Sequence, residues 1–245
     1  MPTATLLTSG NSTVNGTTFT TASVDPADNA LILAFIYHVD TVSPVDPGVS
    51  IAGNGASWSP VATVNLDMSE ASKEHRLTCW KALMGTYSAG TIVFTYTNTQ
   101  TAGLWSIVQV TGTDMTLVGA GTGTNPHGIS AIRTVVIKGS TTGAGFTAFQ
   151  LPLLAARDPG NIVVAAFAHG VNEATAPGTG MTELSDTANA DGALEVSWSN
   201  ATYTSQPAAS WSTSTALAGG IALEIAGPNN EIFYPDPVGL LYQGV

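Results

Sequence analysis

The sequence predicts an all-β protein: a β-sandwich or jelly roll built from two pseudo-repeated halves, with minimal helix. Three observations carry this. The chain is 44% hydrophobic but only 9% charged, far below the roughly 25% charge of ordinary globular domains. Thr, Ser, Asn and Gly take over at the surface, and they favour strands and turns. An apolar run bounded by turn residues, "VDPADNALILAFIYHVD" at 24–40, is echoed by "RDPGNIVVAAFAHGV" at 157–171. Turn signals also recur about every 8–12 residues, the spacing of short strands in a sandwich.

Taken in order, Asp25-Pro26 and Asp158-Pro159 open the two halves, and Asn29 and Asn161 each precede a continuous apolar run. Runs of this length bounded by turns read as strands covered on both faces. In that alignment Phe35 lies opposite Phe167, with His38 and His169 close behind. "SWSPVATV" at 57–64 answers "GMTELSDT" at 180–187, and the alternating "HRLTCWKAL" at 75–83 answers "GALEVSWSNA" at 192–201. "AGLWSIVQVTG" at 102–112 and "AGGIALEIAG" at 218–227 close the halves. The expected organisation is a first half over 1–112, a second over 113–227 packed closely on it, and an arm over 228–245. The joining segment carries its own alternating stretches, "ISAIRTVVI" and "FTAFQLPLL", so it is no plain linker. Two sandwiches or one interleaved sandwich both fit the length. The charged "MSEASKEHRL" at 68–77 reads as a polar loop with one turn.

The arm, "GPNNEIFYPDPVGLLYQGV", differs in kind. Pro228, Pro235 and Pro237 oppose regular pairing, while Phe233, Tyr234, Leu241 and Tyr242 supply apolar surface for docking. Those four are the candidate binding residues. The target is either the chain's own sandwich or a neighbouring subunit.

Chemical motifs are scarce. A formal net charge of -11 repels polyanions, so direct nucleic-acid binding is not expected. The longest apolar run is too short for a membrane span, and "MPTATLLTSGNST" lacks the basic and apolar regions of a secretory signal. Synthesis in a host cytoplasm is the expectation. Cys79 stands alone in a strand-like context and reads as a buried, inert thiol. His38, His75, His127 and His169 fall in no HExxH-like motif, and no GxSxG elbow is present. No catalytic residue, cofactor or metal ligand is assigned. "DTANADG" offers calcium-type oxygen ligands without EF-hand spacing. "VGAGTGTNPHG" matches no phosphate-loop pattern. Many acids sit in turns, and Glu183, Glu195 and Glu224 lie in strands whose alternation turns them outward. Trp58, Trp80, Trp105, Trp198 and Trp211 could line a sugar platform, but apolar alternating surroundings favour core packing.

The succession "TTASVDPADNALILAFI", "SWSPVATV", "GTIVFTYTNTQTAGLWSIVQVTGTD" and "DPGNIVVAAFAHG" resembles β-sandwich structural proteins of tailed-bacteriophage virions. The resemblance spans nearly the whole chain to about residue 227 and rests on strand order and texture. It implies a non-enzymatic virion component, foremost a capsid decoration or accessory protein. Its partners would be further copies of itself, with a trimer as one possible state, and a major capsid or tail protein. The alternative is a carbohydrate- or receptor-binding module of a tail fibre, and a third is a polysaccharide-degrading enzyme. The last would need a carboxylate pair across a groove.

Overall fold

A computed structural model describes residues 1–40, 48–66, 73–83, 85–113, 131–140, 144–152, 160–200 and 206–227. The arm with Phe233, Tyr234, Leu241 and Tyr242 lies outside them, as do His127 and the glycine-rich segment at 118–128. The described residues form strands and their connections, with no helix. The protein is an all-β sandwich.

The first strands are β1 (Thr3–Ser12), β2 (Gly16–Thr20), β3 (Leu31–Asp40), β4 (Val49–Gly53), β5 (Ser59–Asn65), β6 (Glu74–Leu83) and β7 (Ile92–Thr111). They make one antiparallel sheet ordered β1-β7-β3-β6-β5, with β2 and β4 paired to β7 off this path. The 20-residue β7 serves two layers. Its second part pairs with β1 and β3, and its first part pairs with β2 and β4 to form a flap over the outer face. The remaining strands are β8 (Ile132–Gly139), β9 (Phe146–Gln150), β10 (Ile162–His169), β11 (Ala176–Pro177), β12 (Thr182–Asn189), β13 (Gly192–Ser199), β14 (Ala208–Thr215) and β15 (Ala218–Ile225). A second sheet runs β12-β13-β10-β15-β8, and a three-stranded flap runs β11-β14-β9. Residues 74–77 of the charged stretch belong to β6, where the sequence suggested a loop.

The two large sheets stack face to face. One cluster between them takes Leu31, Leu33, Phe35 and Tyr37 from β3 and Ile162, Val164, Ala166 and Ala168 from β10. Phe35 and Tyr37 on one central strand thus share the layer with Ala166 and Ala168 on the other, the large-with-small combination that close packing favours. Each flap then seals the opposite face of its own sheet: Ile32, Ala34 and Ile36 lie beneath Phe19, Phe94 and Tyr96, and Val163, Ala165 and Phe167 lie beneath Phe149, Ala209 and Trp211. Both runs are therefore continuously apolar because both faces of each strand are covered.

Phe35 and Phe167 are both fully buried, but not in equivalent places. Phe35 points between the sheets and Phe167 points beneath the flap. Hydrogen-bond register accounts for this. Leu31, paired with Val110, and Ile162, paired with Ile225, both point between the sheets, and Phe35 lies an even number of residues beyond the first while Phe167 lies an odd number beyond the second. In a strand, one residue is one face.

Polar contacts tie the sheets together. The Tyr37 hydroxyl donates to the Asp191 carbonyl at 3.0 Å, which leaves its oxygen to accept from His75 Nδ1 at 2.7 Å. The Ser106 and Ser185 hydroxyls meet at 2.7 Å inside the sandwich.

The turn after β4 depends on Asn54, held at φ 56° between Gly53 and Gly55. Its Nδ2 donates to the carbonyls of Ser88 at 2.8 Å, Val24 at 3.1 Å and Gly90 at 3.3 Å. Asn tolerates this left-handed backbone, and alanine does not. Asn54→Ala is therefore expected to cost about 2–4 kcal/mol, the sum of lost buried hydrogen bonds and backbone strain. A urea midpoint lowered at unchanged slope would register it.

Candidate functional site

A groove of about 620 Å3 opens in the second half, where the β11-β14-β9 flap stands over the outer face of the β12–β13 edge. Thr175, Ala176 and Pro177 form one wall, Ser210, Trp211 and Ser212 on β14 another, and Glu183 and Asp186 on β12 the floor. Trp211 is fixed from behind. Its indole N–H donates to the Phe146 carbonyl at 3.2 Å, and its ring stacks on His169 with centroids 4.3 Å apart. Only 7% of Trp211 is exposed, so the groove meets little of the indole.

His169 is fully buried. Its Nδ1 accepts the Val171 N–H at 3.3 Å, so Nε2 carries the proton and donates to Thr175 Oγ1 at 2.8 Å. Burial pulls its pKa down to about 4, against the opposing charge of Glu173. The ring is neutral at physiological pH. His38 ends β3 in a similar way, with its ring 5.0 Å from Tyr96 and Nδ1 bonded to Gln100 Oε1 at 2.9 Å. Glu173 is half-buried and braces the groove's mouth by accepting from Ser212 Oγ at 2.6 Å, the Thr213 N–H at 2.7 Å and Thr213 Oγ1 at 2.9 Å. The Ser212 and Thr213 bonds hold its carboxyl down at about 2.

Behind the floor lies Glu195. It pairs across the strands with Asp186, and Ser197 beside it pairs with Glu183. Strand alternation does turn Glu195 away from the central core, as the sequence implies, but the flap covers that side and Glu195 is 0% exposed. Neither carboxyl oxygen has a hydrogen-bond partner. Burial pushes its pKa up to about 8; Ser197 is near enough to oppose this without reaching bonding geometry, and Glu183 and Asp186 add to it. Asp186 accepts the Thr175 N–H at 2.9 Å on Oδ2, while Oδ1 is buried without a partner. Its pKa is raised, foremost by burial, with the Glu183 charge adding and the Thr175 bond opposing. Glu224 is also buried rather than outward to water, and accepts from Asn161 Nδ2 at 2.9 Å and Thr134 Oγ1 at 3.1 Å.

The other sequence candidates fall elsewhere. Cys79 is fully buried, and that burial raises its thiol pKa far above the ordinary value. Asp191 of "DTANADG" pairs with Lys73 at 3.1 Å. Among the described residues no cluster of His, Cys, Asp and Glu is placed to hold a metal ion. Trp105 and Trp211 are buried, while Trp58, Trp80 and Trp198 are half-buried against the clusters. Sequence reading missed the groove because its walls come from three separated strands. The one local signal was Glu195, an acid between Leu194 and Val196 in a strand that the flap covers.

No family model matches the chain, and no curated protein or solved structure matches it.

Proposed function

We propose that this chain is a non-enzymatic structural protein of a virion, a decoration or accessory module that attaches to a particle lattice through its sheet edges. The observation that carries this reading is where exposed apolar side chains fall. Among the described residues, the exposed large hydrophobics are Met1, Leu6, Val14, Val135 and Ile137. Leu6 lies on β1, Met1 and Val14 flank it, and Val135 and Ile137 lie on β8. Both are terminal strands of the two large sheets, and such edges are templates for association unless protected. The rest of the frame supports a passive scaffold. The Cys79 thiol, the His169 ring and the Tyr37–His75 pair are all used internally.

The same proposal includes duplication of one unit. The orders β1-β7-β3-β6-β5 and β8-β15-β10-β13-β12 place each central strand between matching neighbours. Partners would be further copies of the chain and a capsid or tail protein, with the arm at 228–245 adding contacts. The test is an antibody against the chain, used across a density gradient of particles from the source culture. The expected signal bands with particles; a signal confined to the soluble fraction would reject the assignment.

A further inference from the structure

We propose that the open edge of β8 accepts residues 231–236 of a second copy of this chain as an added antiparallel strand. The inference rests on the edge association proposed above and gives it a partner, a place and a direction.

Four strands end the two large sheets: β1 and β5 in one, β12 and β8 in the other. Three of them are interrupted. The ladder shifts within β1 at Leu6/Thr8, within β5 at Pro60/Ala62 and within β12 at Glu183/Ser185, and such bulges, like the proline of β5, blunt an edge. In β8 the shift falls at the Ile132 end, so Thr134 to Gly139 is regular. The Ser140 N–H donates to the Ala218 carbonyl next to β15. By alternation along the ladder, Lys138, Val136 and Thr134 also turn their backbone groups to β15, and Ile137 and Val135 turn theirs to the open side. No other described strand pairs with β8, and Val135 and Ile137 are 40% and 48% exposed. They lie opposite Leu223 and Ile221, whose side chains fill the central cluster, so this apolar pair is an uncovered rim of the core.

The segment Glu231 to Asp236 complements that rim. β8 is basic in an acidic chain, with Arg133 and Lys138 five positions apart, and Glu231 and Asp236 have the same spacing. Laid antiparallel with Glu231 opposite Lys138, the segment brings Asp236 to Arg133, Ile232 opposite Ile137 and Tyr234 opposite Val135, while Phe233 joins Val136 on the flap side. Opposite charges and apolar pairs facing across neighbouring strands both stabilise a ladder. The backbone agrees independently. In this register Ile232 and Tyr234 turn their N–H and C=O toward β8, and Pro235 and Pro237 turn away. A proline lacks the N–H that a ladder position needs, and both prolines fall where none is needed.

The donor is a second copy because the chain's own segment cannot reach this register. The Ala226 N–H donates to the Ala131 carbonyl, which leaves it about 23 Å of strand away from Lys138. A fully extended chain from Ala226 to Glu231 covers at most about 18 Å. Each copy therefore offers one acceptor edge and one donor segment, a pair that two copies can exchange or a ring can pass onward. In such strand addition, main-chain hydrogen bonds supply affinity and alternate side chains supply specificity.

The test is sedimentation of the purified full chain over a concentration series with no particles present, so that its failure and failure of the virion assignment are told apart. Concentration-dependent self-association is expected. Glu231→Lys and Lys138→Glu should each weaken it about tenfold by setting like charges opposite one another, and the double variant should recover most of the loss. Urea midpoints establish that each variant is folded. A covalent readout fixes the register: chains carrying Ile137→Cys, oxidised together with chains carrying Ile232→Cys, should form the mixed disulfide in preference to either homodimer, because residues opposed in a hydrogen-bonded pair lie about 5.5 Å apart. Cys79 is fully buried and does not compete. A monomer at every concentration, association indifferent to either charge reversal, a double variant no better than the singles, or a chain carrying both cysteines that closes on itself would overturn the proposal.

Discussion

Replacing Glu195 by glutamine is expected to stabilise the protein, and to do so far more at pH 8 than at pH 5. A carboxyl with no partner in an apolar layer folds only as the neutral acid until the pH approaches its raised pKa of about 8. Unfolded, it ionises near its ordinary value of about 4.5. Between these values the folded state holds a proton that the unfolded state has released, so stability falls as pH rises through that window. The cost at pH 7 is about 3 kcal/mol, and it reaches about 4–5 kcal/mol above pH 8. Glutamine retains the shape and polarity of the protonated acid without needing the proton. His169 has the opposite sign. Its pKa falls from 6.5 to about 4, so the stability it permits is complete above pH 6.5 and is lost as pH drops through 4. The two slopes oppose each other from about pH 4.5 to 6.5, and above that Glu195 acts alone. Urea midpoints from pH 5 to 9 test this: the variant should be flat across the range where the parent declines. A parallel decline in both would show that Glu195 is not the titrating group.

Phe35→Ala is expected to have the largest destabilising effect, about 3–5 kcal/mol, because truncating a fully buried phenylalanine loses transfer energy and leaves a cavity. In a chain of this size each kcal/mol lowers the melting temperature by roughly 2–4 °C. Phe35 belongs to the cluster that both sheets supply, so the whole sandwich should shift as a single transition. Calorimetry decides this. A second transition left at the parent temperature would show that the second sheet does not depend on the shared core.

The sequence revealed the central strands because their surroundings are recorded in the residues themselves. A run such as Leu31 to Ile36 without a polar break is the mark of a strand under two covering layers. What it could not reveal was which layer each residue meets. Aligning Phe35 with Phe167 looked natural as letters, yet the positive-φ residues that precede β3 and β10, Asn29 and Gly160, stand at unequal distances from them, and the two side chains fall on opposite faces. Backbone conformation identifies the site there, and side-chain identity does not. Glu195 shows the same limit. Alternation gave its direction correctly, but only the fold reveals that β11 and β14 lie in that direction. The groove was illegible for a related reason: Thr175, Asp186 and Trp211 are brought together by pairings between strands, and none is unusual in its own segment. The arm's residues lie outside the described structure, and their reading rests on composition and proline placement.

The two flaps are joined to their sheets differently. In the first half, β7 passes from flap to sheet without interruption, so separating those layers would require bending a continuous ladder. In the second half the same passage is divided at Ala216 and Leu217 between β14 and β15. That joint is a covalent elbow. The carbonyls of Ala216 and Leu217 accept from the Ser140 hydroxyl and the Gly170 N–H, so the ends of β8 and β10 both fasten this corner. The groove therefore sits under an outer layer tied to its sheet by a hydrogen-bonded corner and by the apolar cluster beneath it, where the first flap is tied by an unbroken strand.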